Sequence, residues 1–230
     1  MLILAFETSA KAGSVALLQD GVLLGESYQN TGLTHSQTLL QMAQDLLKSC
    51  GITPKEVDAV AVAAGPGSFT GVRIGVAAAK GFAWGGEKPC YGVSTLEAMA
   101  CNAGKEGYVL PVMDARRSQV YTALFCGAER IWEDQAISLA ELGEKLQALD
   151  APVYVVGDGS VLCYNTLKAQ VAKLTLAPEH LQHQRAAGVA IAAQKAIDRG
   201  ESGDAAALKP NYLRLSQAER ERLEKEKREA

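Results

Sequence analysis

The sequence feature that most constrains the fold is a glycine-rich turn at residues 65–71, Gly-Pro-Gly-Ser-Phe-Thr-Gly, which lies between two apolar stretches. Residues 57–63 are almost all valine and alanine, which predicts a buried strand. Residues 70–84 carry small residues at a spacing of four, which predicts a helix. A strand, a glycine-rich turn and a helix N-terminus in this order are typical of α/β proteins that place backbone N–H groups in a crevice. The same order also fits a plain αβ corner, so both interpretations stay open.

The two halves of the chain repeat one pattern. In the first half an apolar strand ends at Glu7, and a second strand leads to a hairpin turn at Asp20-Gly21. In the second half an apolar strand ends at Asp114, and residues 119–125 form the next strand. The repetition suggests a duplicated hairpin-and-helix module, with an acid at the end of the first strand of each copy.

Four stretches give the chain a resemblance to a known family. Residues 65–75, Gly-Pro-Gly-Ser-Phe-Thr-Gly-Val-Arg-Ile-Gly, are similar to the signature of the TsaB (YeaZ) family, the bacterial partner proteins in tRNA threonylcarbamoyladenosine synthesis. The same family is resembled by Ala-Phe-Glu-Thr-Ser at 5–9, Gly-Val-Ser-Thr-Leu at 92–96 and Pro-Asn-Tyr-Leu-Arg at 210–214. The resemblance covers residues 1–125 well and the rest of the chain loosely.

The resemblance implies an α/β fold of duplicated ribonuclease-H-like modules, the actin-like fold that actin, heat-shock chaperones and sugar kinases share. We expect a first actin-like subdomain at residues 1–104 and a second, smaller one at 105–215, with a helix at 186–199 that can pack back on the first. Residues 201–207 are predicted to be a flexible connection. Residues 216–230 form a charged tail in which acids and bases alternate, as in a solvated helix.

The composition predicts a cytoplasmic protein that neither binds RNA by itself nor enters a membrane. The formal net charge is −3, whereas proteins that hold RNA alone usually show a basic face. We therefore expect tRNA to be contacted only indirectly. The N-terminal apolar run has no basic leader, and no run approaches the roughly 20 apolar residues of a membrane span. The five cysteines are scattered without a CxxC pair, which predicts reduced thiols.

The acids Glu7 and Asp114 are the first candidates for chemistry. In the actin-like fold two such acids face each other across a cleft and position Mg²⁺ and phosphates. The resemblance thus makes Glu7, Thr8, Ser9 and Asp114 the nucleotide-proximal residues. The turn after Asp114, however, has two arginines and no glycine, so its backbone is not expected to wrap a phosphate. We expect no cofactor for this chain and keep a small-molecule kinase or ATPase as the alternative function.

A metal site is not expected. TsaD, the catalytic relative on the same fold, carries two metal-binding histidines, and the positions that match them here hold Thr95 and Met99. Neither side chain replaces an imidazole on a hard or borderline cation. His180 and His183 lie three residues apart, but the sequence places no obvious third ligand near them.

A hydroxyl nucleophile is the weakest catalytic interpretation. Ser68 or Thr70 would serve as one in a glycoprotease-type peptidase, a further alternative function. The turn lacks the Gly-x-Ser-x-Gly spacing of a nucleophile elbow, and no acid or histidine stands where it would complete a triad. We expect one of the two hydroxyls to cap the helix that follows.

Two helices are expected to form a partner surface. The helix at residues 34–49, for which Thr34 to Gln37 predict a capping box, has an apolar arc wider than one core-facing stripe requires. The helix at residues 70–84 carries small residues that let another helix approach closely. The expected interface residues are Leu39, Leu40, Ala43, Leu46, Leu47, Gly71, Arg73, Gly75, Ala78, Ala79 and Phe82.

The function that the resemblance implies is that of a non-catalytic scaffold and activator. The chain would bind a TsaD-like catalytic subunit, and a TsaE-like ATPase would join the complex. The complex would attach a threonylcarbamoyl group to the adenosine next to the anticodon of tRNAs. Alone, the chain would form a homodimer. Any ATP would belong to the complex rather than to this chain.

Overall fold

The structure is a computed structural model that describes residues 1–149 and 151–214. The charged tail predicted at residues 216–230 lies outside this described part, so its helical character stays a prediction. Among the described residues, no helix is long and apolar enough to cross a membrane.

The first half of the chain builds a five-stranded sheet. Its strands are β1 (Leu2–Glu7), β2 (Gly13–Gln19), β3 (Val22–Gln29), β4 (Ala59–Ala63) and β5 (Cys90–Val93). They lie in the order β3-β2-β1-β4-β5, with β1 to β3 antiparallel and β4 and β5 parallel to β1. The hairpin predicted between β2 and β3 is confirmed, since Asp20 and Gly21 both have positive φ, 48° and 81°.

The second half builds a second five-stranded sheet with the same plan. Its strands are β6 (Tyr108–Asp114), β7 (Gln119–Cys126), β8 (Glu129–Ser138), β9 (Val153–Val156) and β10 (Leu174–Leu176). They lie in the order β10-β9-β6-β7-β8, again with three antiparallel strands followed by two parallel ones. β6 therefore occupies the place of β1, and β9 the place of β4. The duplicated module predicted from the sequence is confirmed.

Six helices of the described chain cover the sheets. They are α1 (His35–Ser49), α2 (Phe69–Gly86), α3 (Thr95–Ala103), α4 (Leu139–Leu149), α5 (Ser160–Leu167) and α6 (Ala186–Asp198). α1 and α2 pack on one face of the first sheet, and the alanine-rich α6 packs on its other face. α4 and α5 cover the second sheet, while α3 contributes Leu96 and Met99 to a core between the two halves. The division at residues 104 and 105 stays a prediction.

Three local predictions differ from the structure. Thr34 is the N-cap of α1, but its side chain makes no capping bond, so the predicted capping box is wrong there. β4 begins at Ala59 rather than at residue 57, because Asp58 turns aside to accept a hydrogen bond of 2.7 Å from the backbone N–H of Leu2. Residues 201–207 are not a loose connection, since the Asp204 carboxylate accepts backbone N–H bonds from Ala206 at 2.7 Å and from the next residue.

Candidate functional site

A cleft of about 530 Å³ lies between the two halves of the chain. It opens where the parallel strands β1, β4, β6 and β9 end, which is the usual place for a ligand in open α/β sheets. Its lining includes Ser9, Lys11, Phe69, Asp114, Asp158 and Tyr212. The volume is within the range of small-molecule sites.

Glu7 ends β1 and is fully buried beneath this cleft. Its Oε1 accepts a hydrogen bond of 2.5 Å from the backbone N–H of Ser9, and its Oε2 has no partner among the described residues. Burial raises the pKa of Glu7 from 4.5 to about 7, and the nearby charge of Asp158 acts in the same direction. Burial thus favours the neutral form of this carboxyl at a higher pH than for an exposed glutamate.

Asp114 and Asp158 face the cleft from the second half. Asp114 ends β6, and its Oδ1 accepts the backbone N–H of Arg116 at 2.7 Å. Asp158 follows β9 and accepts a hydrogen bond of 2.8 Å from the side chain of Gln184. Desolvation raises the pKa of Asp158, and repulsion from Asp114 adds to the shift. The structure thus brings the predicted Asp114 to the cleft together with an acid that sequence reasoning missed.

Asp158 had a detectable signal in the sequence. It lies in Gly157-Asp158-Gly159, directly after β9, and β9 is the counterpart of β4. The turn after β4 is the glycine-rich one at residues 65–71. Aligning the two halves strand by strand would have placed Asp158 at the cleft.

The turn between β6 and β7 has no glycine, and its backbone is strained. Arg116, Arg117 and Ser118 all have φ between 55° and 64°, the left-handed region that side chains disfavour. The backbone N–H of Arg116 is already bonded to Asp114. The turn therefore contributes Arg116 to the lining of the cleft rather than a ring of free amides.

The glycine-rich turn after β4 is filled by the chain itself. A Cβ at Gly71 would lie 2.1 Å from the carbonyl oxygen of Thr8, and one at Gly65 would lie 2.3 Å from that of Asn211. The backbone N–H of Ser68 donates to the carbonyl of Ser9 at 2.6 Å. These glycines let the start of α2 lie directly against the β1–β2 turn and let the C-terminal segment lie directly against the glycine-rich turn. The structure supports the αβ-corner interpretation rather than an open cradle.

Ser68 is a helix cap, as one of the sequence interpretations predicted. Its Oγ accepts the backbone N–H of Gly71 at 3.2 Å, at the first turn of α2. This bond gives the hydroxyl a structural role, and the geometry offers no support for a nucleophile at Ser68.

Thr95 and Met99 lie in the core between the halves. Both are buried, and a Cβ added at Gly157 would lie 2.2 Å from the Met99 methyl group. His183 lies apart from them, with its Nε2 3.3 Å from the side-chain nitrogen of Asn30. In the described part of the chain, no three His, Cys, Asp or Glu residues are grouped so that they could hold a metal ion.

Most of the predicted interface residues face inward. Those that are buried against the first sheet are Leu39, Ala43, Leu46, Leu47, Gly71, Gly75 and Ala79. These seven side chains pack in the core of the chain itself and offer a partner little surface, and their part in an interface stays a prediction. Ala78 and Phe82 are partly buried, whereas Leu40 is 61% exposed and Arg73 is exposed.

The outer side of α2 is different from the side that was predicted. Its exposed residues follow the helical spacing from Arg73 through Ala77 and Gly81 to Trp84, which is 63% exposed. Trp84 was missed because the sequence interpretation followed the small residues rather than the opposite arc. Together with Leu40 on α1, it defines what we call the outer face of α1 and α2.

Residues 203–214, called the strap below, run along α2 towards the second half. Asn211 donates its backbone N–H to the carbonyl of Ala64 at 2.6 Å, next to the glycine-rich turn. The Tyr212 ring stacks on Phe69 with 4.3 Å between centroids. At the far end, the Arg214 guanidinium donates to the carbonyl of Ala115 beside the cleft. The strap thus joins the first half to the hairpin of the second.

Comparison with families and sequences of known proteins gives consistent matches. Residues 29–222 match the family model described as TsaD: tRNA N6-adenosine threonylcarbamoyltransferase. The tRNA threonylcarbamoyladenosine biosynthesis protein TsaB of Bacillus subtilis is 34% identical, over 99% of this chain and 100% of the relative. The protein of the same name from Escherichia coli is 40% identical, over 69% of this chain and 72% of the relative.

Comparison with solved structures agrees with the sequence matches. A Pseudomonas aeruginosa structure described as an uncharacterized protein with similarity to peptidase YeaZ has a TM-score of 0.76 and 30% identity, covering 93% of this chain and 99% of that one. A hexokinase of the ROK type from Thermus thermophilus has a TM-score of 0.54 at 11% identity, covering 86% of this chain and 100% of that one. The second likeness concerns the fold alone. Because a hexokinase is a sugar kinase, it confirms the prediction that this chain has the actin-like fold that sugar kinases share.

Proposed function

Because this chain belongs to the TsaB family, we propose that it acts in the biosynthesis of tRNA threonylcarbamoyladenosine as a non-catalytic scaffold that binds a TsaD-like catalytic subunit. A TsaE-like ATPase joins this complex, and tRNA is held mainly by the other subunits. The net charge of −3 supports that division, because RNA binding depends on basic surfaces. Without the catalytic subunit the chain pairs with itself.

The observation that carries the proposal is the exposure of Leu40 and Trp84 on the outer face of α1 and α2. Both side chains are more than half exposed although the helices that bear them have fully packed inner sides. Large apolar side chains that stand out of a well-packed pair of helices favour a protein partner. An interface that buried roughly 1,200–2,000 Å² in total would suit a stable, specific complex.

The cleft supports a non-catalytic role for this chain. Its glycine-rich turn is occupied by the chain's own backbone, and Glu7 lies beneath the floor with one oxygen already bonded to Ser9. A phosphate at this place would meet neither a free backbone cradle nor an exposed carboxylate from the first half.

The test is to mix the purified chain with the TsaD-like protein of its own organism. Light-scattering chromatography measures pairing, and a modification assay on tRNA measures function. We expect a complex and modification by the mixture, with no modification by this chain alone. Trp84→Glu should abolish the complex while the monomer stays folded, and Val161→Glu, an exposed apolar residue of the second half, is the matched control. Modification by the lone chain would refute the scaffold proposal.

A second candidate function is a small-molecule kinase or ATPase. The observation that favours it is the cleft itself, where Asp114 and Asp158 line a space of about 530 Å³. ATP hydrolysis by the purified chain that disappears in Asp114→Asn would support it. An unchanged hydrolysis rate in Asp114→Asn would assign the activity to a contaminant and exclude the candidate.

A further inference from the structure

The strap holds the two cations of α2 in fixed positions. The Nε of Arg73 donates to the Tyr212 hydroxyl at 2.8 Å, and its guanidinium lies 3.9 Å from the centre of the Phe69 ring. The ammonium of Lys80 donates to the strap carbonyls of Ala206 at 3.3 Å and of residue 208 at 3.1 Å. Long cationic side chains on a surface normally lose entropy when they bind a partner. Here the strap has already ordered both.

Arg73 and Lys80 are spaced so that one partner helix could contact both. They are seven residues apart on one helix, which corresponds to about 10.5 Å or two turns. The exposed Ala77 lies between them, and the exposed Gly81 directly follows Lys80, with nothing within 4 Å of a Cβ added there. α2, all of whose residues are described, contains no acid. The only charges on its outer side are therefore positive, the C-cap Glu87 follows directly after the helix, and Gly81 leaves room for another backbone to approach.

A second copy of this chain is a poor occupant of this side of α2. If two copies packed α2 on α2 in antiparallel orientation about Ala77, Lys80 of one copy would stand beside residue 74 of the other, next to Arg73. In parallel orientation each Arg73 would face its own counterpart. Both arrangements bring like charges together, which opposes pairing.

We propose that the outer side of α2 selects a partner helix that carries two carboxylates about two turns apart, in preference to a second copy of this chain. The inference rests on the proposed function, whose TsaD-like subunit supplies the helix. One carboxylate binds the guanidinium of Arg73, whose two terminal nitrogens have no recorded partner in the described part of the chain. The other binds the remaining donor of Lys80. Tyr212 is the positioning residue for Arg73.

Salt dependence separates the two kinds of pairing. Affinity is measured for the chain with the TsaD-like protein, and for the chain with itself, at about 50 and about 300 mM sodium chloride. We expect salt to weaken the mixed pair, because it screens opposite charges, and to leave self-pairing unchanged or strengthened, because it screens like charges. Self-pairing through α2 that is tightest at low salt would overturn the inference.

Two substitutions test the roles of Arg73 and Tyr212. Arg73→Glu should weaken the mixed pair at least about tenfold and should not weaken self-pairing. Tyr212→Phe keeps the ring on Phe69 but removes the hydroxyl, and should weaken the mixed pair about threefold or more. That second effect should vanish when Arg73→Gln is already present, which a merely structural role of Tyr212 would not produce. Lys168→Glu, the same change of charge sign on an exposed residue of the second half, is the control.

The outcomes distinguish this inference from the proposed function. A mixed pair that modifies tRNA but ignores both salt and Arg73→Glu would overturn the inference and leave the scaffold function in place. The absence of any mixed pair would overturn the scaffold function. In that case the salt response of self-pairing, with and without Arg73→Glu, still decides whether like charges on α2 oppose a second copy.

Discussion

The backbone N–H of Ser9 donates a 2.5 Å hydrogen bond to Oε1 of Glu7, while Oε2 of the same carboxyl has no partner in the described part of the chain. One bonded oxygen does not compensate for the loss of water around a fully buried carboxylate. The pKa of Glu7 accordingly rises from 4.5 to about 7. Folding is therefore linked to a proton at this residue.

This linkage predicts that the folded state loses stability as the pH rises from about 4.5 to about 7. Below that window Glu7 is protonated in both states, and above it the folded state must hold a buried charge. The full difference in the free energy of unfolding is about 3 kcal/mol. Glu7→Gln should remove this part of the pH dependence in urea denaturation at about pH 5 and about pH 8. Glu144→Gln, which changes an exposed acid on α4, should keep this pH dependence. The prediction would be contradicted if the free energy of unfolding changed equally with pH in the unmodified chain and in both variants.

Two glycines of α2 should respond to alanine in opposite ways. A Cβ at Gly71 would lie 2.1 Å from the carbonyl oxygen of Thr8, and a backbone atom cannot move aside cheaply. Gly71→Ala should lower the free energy of unfolding by roughly 3 kcal/mol. Gly81→Ala meets nothing within 4 Å and should raise it by about 0.5–1 kcal/mol through helix propensity. Denaturant titration of both variants gives the comparison, and a tolerated Gly71→Ala would refute the close contact.

The ion pairs of Arg130 and Arg199 should differ in strength. Arg130 binds Glu97 of α3 at 2.9 Å and also Asp134 of β8, and only about a quarter of its side chain is exposed, 23%. Arg130→Ala should therefore lower the free energy of unfolding by about 1–2 kcal/mol, after allowance for solvent screening. Arg199 and Glu201 are both more than half exposed, so Arg199→Ala should cost less than about 0.5 kcal/mol. If Arg130→Ala and Arg199→Ala lower the stability equally in thermal denaturation, the Arg130–Glu97 ion pair does not stabilise the contact between α3 and β8.

The fold could be predicted from the sequence because the motifs that specify it are local and occur in both halves of the chain. Glu7 and Asp114 end equivalent strands, and each is followed by a hairpin that short-range turn chemistry can specify. The inner and outer sides of α1 and α2 were harder to predict. Leu39 is 2% exposed and Leu40 is 61% exposed, yet both are leucines within one broad apolar arc. Periodicity locates such an arc but does not say which part of it the sheet covers.

The candidate site depended on contacts that are distant in sequence. Tyr212 meets Phe69 and Arg73 across about 140 residues, and no spacing rule connects them. The glycines at residues 65–71 were compatible with both a ligand cradle and a packed αβ corner. A ligand and the chain's own backbone can each approach closely only where the residue has no side chain. Only the position of Thr8 and Asn211 resolved it in favour of the backbone.

Leu40 and Leu46, on the same helix, allow the docking face to be separated from the core. Leu46 is 8% exposed and would contact a Cβ added at Gly25. Leu46→Glu should therefore bury a charge and abolish folding, so that pairing is lost for a trivial reason. Leu40→Glu should change the free energy of unfolding by less than about 0.5 kcal/mol and still weaken pairing about tenfold or more.

The measurements are circular dichroism melting for the fold and light-scattering chromatography for the complex with the TsaD-like protein. Gln44→Glu adds the same negative charge at an exposed position of α1 without removing an apolar contact. Pairing should survive in Gln44→Glu, because the loss in Leu40→Glu is expected to come from the missing leucine contact and from desolvation of the new charge. If Leu40→Glu pairs as well as the unmodified chain, the outer face of α1 is not part of the interface, and α2 alone must carry it.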